Sequence, residues 1–206
     1  MVEYRTDEER VQLILDYFNQ YKLAIISFLL FVIISVSGYF YVTNNNKQLN
    51  SEAYSLYVQW NENKDTALFD KLQGDYINTG FAQLALITRA TLLANEGNID
   101  DSLRLLYLVK ENSDGFFGNS LMNGIARTNI ARISIALGNF EDALKVLEKY
   151  SNDEDAYTHE LKGDALSGVG NYDLALQQYQ SAFEKYTDNG LRNLVELKIN
   201  NLNTNE

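Results

Sequence analysis

Three segments of this chain repeat one pattern: Gly97-Asn98-Ile99-Asp100-Asp101-Ser102-Leu103, Gly138-Asn139-Phe140-Glu141-Asp142-Ala143-Leu144 and Gly170-Asn171-Tyr172-Asp173-Leu174-Ala175-Leu176. Each follows a stretch of helical apolar spacing and opens another. Gly suits the left-handed terminus of the first helix, where it carries no Cβ penalty. Asn either shares that conformation or accepts hydrogen bonds in the turn. The acidic residues fall in the first turn of the next helix, where its dipole favours them. The unit is therefore helix, tight turn, helix. Repeated units of this kind stack, so the chain is predicted to be an α-solenoid whose business is holding other proteins.

The glycines are 41 and 32 residues apart, bracketing the 34-residue period of tetratricopeptide (TPR) repeats. In a TPR unit, small residues stand where the paired helices cross. Counting from Gly170 places Gly163, Ala175 and Ala182 at those sites. The same count gives Ala131, Ala143 and Tyr150 in the middle unit, and Ala90, Ser102 and Val109 in the first. The extra residues of the longer interval fall around Ser113-Asp114-Gly115-Phe116-Phe117-Gly118, a loop by its Gly and Asp content. The fold follows from three such turns; a function does not, because solenoids serve many partners.

Residues Leu23 to Val42 form an uncharged apolar run of 20. As a helix it spans about 30 Å, the thickness of a bilayer's hydrocarbon core. Tyr39 and Tyr41 near one end, and Tyr17 and Tyr21 before the other, suit aromatic belts at the two interfaces. Ser35-Val36-Ser37 imitates a signal-peptide cleavage site only loosely, and 22 residues precede the run, many of them acidic. A retained transmembrane anchor is the favoured reading. Arg5, Arg10 and Lys22 lie upstream, against Lys47 alone in the 20 residues downstream. That asymmetry predicts a cytoplasmic N-terminus and a soluble part on the far side, the periplasm in a Gram-negative source.

The predicted division is a cytoplasmic N-terminal helix over 1–22, a transmembrane helix over 23–42, a polar linker over 43–50 and a TPR-like periplasmic domain over 51–206. In the first segment Thr6 and Glu9 match a capping box. That helix is either a plain extension of the span or a contact for a membrane partner. Beyond the linker, Ala53, Tyr54, Leu56, Tyr57 and Trp60 mark an amphipathic helix; Leu68, Phe69 and Leu72 mark a shorter one ending near Gly74. A third runs from Thr79-Gly80 to Asn95. At the other end, Leu191 to Leu202 should form a capping helix over the last unit. The fold class is thus all-α: one N-terminal transmembrane helix, helix pairs in a TPR-like solenoid, and a C-terminal cap.

Composition narrows the chemistry. The chain has no Cys and one His, His159, which excludes disulfides, thiolate chemistry and His-cluster metal sites. No Pro interrupts it, as suits a nearly all-helical chain. The net charge of −11 disfavours nucleic acid and anionic lipid surfaces as partners. It serves either solubility or the attraction of basic partner segments. Acidic neighbours such as Asp100/Asp101 and Glu141/Asp142 sit at helix starts, where capping explains them. Asp153-Glu154-Asp155 lacks calcium-loop spacing. No catalytic constellation, cofactor motif or metal site is legible, and the chain is read as a non-enzyme.

A partner-binding groove is the useful site hypothesis. Tyr54, Tyr57 and Trp60 lie on one helix; they either bury against the third helix or line a groove for apolar partner segments. TPR proteins generally line a concave face with the first helix of each pair. Here that face would carry Thr128 and Arg132 in the middle unit, and Tyr157, Glu160 and Asp164 in the last.

The whole arrangement resembles the YfgM family, the ancillary subunit of the bacterial SecYEG translocon. The resemblance rests on Thr6-Asp7-Glu8-Glu9-Arg10-Val11, Tyr17-Phe18, the span, Ser51-Glu52-Ala53, Gly163-Asp164-Ala165-Leu166 and the ending Leu197-Lys198-Ile199-Asn200-Asn201-Leu202. The Phe116-Phe117 loop and the Asn-rich linker have no match in it. It implies an inner-membrane protein associated with SecYEG and with PpiD, a membrane-anchored periplasmic chaperone of prolyl-isomerase type. It also implies a role in passing emerging client polypeptides to periplasmic chaperones. The alternative keeps the fold and makes the chain a scaffold for another envelope assembly.

Overall fold

The computed structural model describes residues 7–115, 118–148 and 155–204, and among them every regular element is helical. They are α1 (Asp7–Asn63), α2 (Thr66–Asp75), α3 (Gly80–Asn95), α4 (Ile99–Asn112), α5 (Ser120–Ala136), α6 (Phe140–Glu148), α7 (Ala156–Gly168), α8 (Tyr172–Lys185) and α9 (Asn189–Thr204). By internal contacts the chain divides into a first unit, Met1–Leu49, and a second, Asn50–Glu206. The capping box at Thr6, the register residue Tyr150, the Asp153–Glu154 pair and the Phe116–Phe117 pair lie outside the described residues.

In the first unit, the apolar run 23–42 is helical and its side chains are exposed throughout. It is long and apolar enough to cross a membrane, with a mean hydropathy of 2.4 in its best window and no polar face to turn toward water. This is consistent with single-pass anchoring. Residues 43–50, expected as a polar linker, are helical and belong to α1. Asn44, Asn45 and Asn46 weaken a helix only by tenths of a kcal/mol each, and neither Gly nor Pro stands among them to stop it.

In the second unit the repeated turns close alike. Gly97, Gly138 and Gly170 take φ of 83°, 78° and 79°, the left-handed region that Gly enters freely. Asn98, Asn139 and Asn171 each donate their backbone N–H five residues back, to Leu93, Ser134 and Leu166, at 2.8, 2.8 and 2.9 Å. The glycine N–H groups donate three residues back at 3.1, 3.0 and 3.0 Å. Together these are Schellman closures, which satisfy the last carbonyls of one helix. The asparagine carbonyls then accept from Ser102, Ala143 and Ala175, starting the next. Asn171 also caps with its side chain, accepting from the Leu174 amide at 3.5 Å, which Asn98 does not do.

Packing follows the register. Gly163, Ala175, Ala182, Ala131, Ala143, Ala90, Ser102 and Val109 are all buried. Successive helices from α3 to α9 pack on one another, and the first helices also stack, α3 on α5 and α5 on α7. The core runs through four clusters, from Ala53, Trp60, Leu72, Ala82 and Ala85 at one end to Ala175, Tyr179, Ala182, Val195 and Leu202 at the other. The cap thus covers α8 with Val195 and Leu202, while Leu191, Leu194 and Leu197 stay exposed.

Candidate interaction surfaces

The first aromatic set stands at the end of α1. Ala53 and Trp60 are seven residues apart, on the stripe that packs against α2 and α3. Trp60 is therefore 2% exposed, with its ring centroid 5.5 Å from that of Phe69. Tyr54 sits one position round the helix and remains 52% exposed, 4.9 Å from Phe81. Tyr57 bridges them, its centroid 6.1 Å from both Trp60 and Phe81. Burial against the third helix thus accounts for Trp60. Tyr54 is the residue of the set that stays exposed.

The second set lies on α5 and α7. Thr128 turns its hydroxyl onto its own helix, donating to the Gly124 carbonyl at 3.0 Å. Arg132 is exposed and donates to Asn129 Oδ1 at 3.0 Å. Tyr157 is 39% exposed. Burial raises its pKa; the nearby Arg132 opposes that rise, and Glu160 and Asp164 add to it. These four groups share one neighbourhood.

Glu160 and Asp164 are one turn apart on α7, and the groove expectation left them free. They are not. Lys198, reaching back from α9, donates to Glu160 Oε1 at 2.7 Å and to both Asp164 carboxylate oxygens at 2.6 and 2.7 Å. Tyr186 donates its hydroxyl to Glu160 Oε2 at 2.7 Å, and Tyr179 donates to Asp164 Oδ1 at 2.8 Å. Burial lowers the Lys198 pKa, but its bonds to Asp164 and Glu160 outweigh that and leave it raised. Burial, with the adjacent carboxylates, also holds both tyrosines neutral well beyond their usual range. The last unit's acidic pair is therefore an internal lock between α7 and the cap. On this face Arg132 and Tyr157 stay exposed.

Sequence reading missed Lys198, Tyr179 and Tyr186. A signal existed: Lys198 lies three residues after Val195 and four before Leu202, on the buried stripe of α9. A lysine there must meet an acid. Arg127, 3% exposed, is a second missed cation. It donates to Asn123 Oδ1 at 2.6 Å, to the Val146 carbonyl at 3.0 Å and to Asp114 Oδ2 at 3.3 Å. It ties the loop after α4 and the last turn of α6 to α5. His159 bonds Gln178 Oε1 through Nδ1 at 2.8 Å, a packing role between α7 and α8. Among the described residues no group of three His, Asp or Glu side chains could hold a metal ion.

An open cleft of about 640 Å³ also lies between α6 and α8, with Leu144, Leu166 and Leu174 in its lining. Apolar patches set among stacked helix pairs are the kind of surface on which repeat scaffolds commonly bind polypeptides.

Comparison with known proteins agrees with this architecture. No curated protein and no solved structure gives a significant match to the chain. The family model of the tetratricopeptide repeat-like domain matches residues 16–204, nearly the whole chain. On that match, and on three Schellman-closed helix pairs in TPR register, the chain belongs to the tetratricopeptide repeat-like domain family.

Proposed function

We propose that this chain is a non-enzymatic, membrane-anchored adaptor that associates with the SecYEG translocon and helps pass emerging secreted chains to a PpiD-type periplasmic chaperone. The observation that carries the reading is the joining of an apolar helical run at 23–42 to TPR-like repeats in one chain. A repeat scaffold supplies surface for polypeptides. An apolar run of this kind would hold that scaffold at a membrane, where emerging chains could be met. The local resemblance to the YfgM family, from Thr6 through Leu202, supports the choice of the SecYEG translocon as that assembly. The basic residues Arg5, Arg10 and Lys22 before the run favour a cytoplasmic N-terminus and a periplasmic repeat domain.

Two experiments test it. The chain has no native Cys, so a Ser51→Cys variant reports topology without background. A membrane-impermeant maleimide added to spheroplasts should label it; labelling only after lysis would reverse the orientation. Replacing residues 23–42 with an unrelated span should weaken co-purification with SecYEG. Undiminished recovery by the chimera would refute a contribution of the anchor.

A further inference from the structure

The turn between α1 and α2 builds a small cationic pocket in an otherwise acidic protein. Trp60, Lys64, Thr66, Phe69 and Arg89 enclose about 140 Å³. That is room for roughly five water molecules at about 30 Å³ each, close to a carboxylate with two methylenes. Lys64 is the one non-glycine residue with a positive φ, 56°, among those described. In that conformation its Nζ folds back over the Trp60 ring, 4.6 Å from the centroid, and donates to Asn61 Oδ1 at 2.8 Å. Arg89 enters from α3 and has no hydrogen-bond or ion-pair partner among the described residues. Asp65, the nearest acid in sequence, is committed elsewhere: its carboxylate accepts from the Ala67 amide at 2.8 Å.

We infer that this pocket binds a carboxylate carried by a polypeptide partner, an acidic side chain or a chain terminus. The Arg89 guanidinium offers a fork matched to two carboxylate oxygens, Lys64 adds a second charge and Thr66 a hydroxyl. Trp60 and Phe69 give the methylenes apolar walls. Lys64 holds its charge against an aromatic face and a neutral amide, both weaker partners than a carboxylate. The inference rests on the adaptor reading only in placing the carboxylate on a polypeptide.

Trp60 is the chain's sole tryptophan, so its emission reports the pocket directly. Full-length protein in detergent is titrated with a short glutamate-containing peptide, the same peptide carrying glutamine, and inorganic phosphate. With both peptides amidated at the C-terminus, the glutamate peptide should shift the emission saturably and the glutamine peptide should not. A response restored to the glutamine peptide by a free C-terminus would assign the carboxylate to a chain terminus. Arg89→Gln should weaken binding about tenfold or more, with an unchanged circular dichroism spectrum because Arg89 makes no internal bond. Arg89→Lys should restore only part of it, and added salt should weaken it. An emission that ignores all three ligands, or a response unaltered by Arg89→Gln, overturns the inference. Phosphate binding as tight as the peptide's overturns the carboxylate assignment. Failure here leaves the adaptor reading standing if Arg89→Gln protein still recovers translocon subunits; loss of those subunits from wild-type preparations is a separate result.

Discussion

Gly163 offers a test in which two known effects oppose each other. It lies inside α7, where a glycine costs about 0.5–1 kcal/mol of helix stability relative to alanine. On propensity alone, Gly163→Ala should stabilise. The packing says otherwise. A Cβ at this position would stand 2.5 Å from Cδ1 and Cε1 of Tyr179 and 3.1 Å from Cγ, against about 3.5–4.0 Å for a relaxed carbon contact. The ring would have to retreat by roughly 1 Å to restore that contact. It is buried, 4% exposed, and its hydroxyl is held on Asp164 at 2.8 Å. Overpacking of this kind costs about 1–3 kcal/mol, so the net effect should be destabilisation by about 1–2 kcal/mol. For a chain of this length each kcal/mol moves Tm by roughly 2–4 °C. Thermal unfolding of the detergent-solubilised protein, followed by circular dichroism, should show Tm falling by several degrees. Gly74→Ala is the control: it is helical with nothing within 4 Å of its built Cβ, and its Tm should hold or rise. A Tyr179→Leu background should relieve much of the Gly163→Ala cost, giving a coupling energy of about 1 kcal/mol. If Gly163→Ala stabilises as Gly74→Ala does, the close approach of α7 and α8 described above is wrong.

Other variants probe polar groups in the core. Ser102 sits at a helix crossing, buried, with its hydroxyl unpartnered; Ser102→Ala should raise stability by about 1 kcal/mol, read from the same melts. Arg127→Met removes the bonds to Asn123, Val146 and Asp114 and should cost about 2–3 kcal/mol, with the unfolding midpoint in urea falling accordingly. The lock under the cap predicts alkaline sensitivity. Tyr179, Tyr186 and Lys198 all have raised pKa values in the folded state. Their contribution is therefore complete below the ordinary values of 10.0 and 10.5 and is lost as pH climbs through the folded ones. Stability measured from pH 8 to above about 10 should decline, and Lys198→Met should reduce the slope of that decline.

What the sequence discloses about this fold is what local chemistry dictates. Each Gly-Asn turn carries its own signal, because only Gly enters the left-handed region cheaply, and the small residues at the crossings follow by counting. The continuity of α1 through 43–50 is not legible in the same way. A run of asparagines resembles a loop by composition, yet its helix penalty is small and nothing in it stops the helix. Trp60 and Tyr54 show a second limit. Both fit the amphipathic pattern, and only the packed neighbours Leu72 and Ala82 decide that the former is core and the latter surface. The acidic pair on α7 is the clearest case. Glu160 and Asp164 read as groove residues from their spacing, but the lysine that engages them is 38 and 34 residues away in the chain. Long-range pairing of this sort leaves only an indirect trace, a cation on a buried stripe.

The central claim is that the repeat domain serves a membrane assembly of polypeptides at the translocon. Affinity purification of the tagged full-length protein in mild detergent, with co-purifying membrane proteins identified by mass spectrometry, tests it most directly. SecY together with a single-span periplasmic chaperone should co-purify. Recovery of a different envelope complex without any translocon subunit would contradict it, leaving the TPR-like fold intact and the adaptor assignment withdrawn.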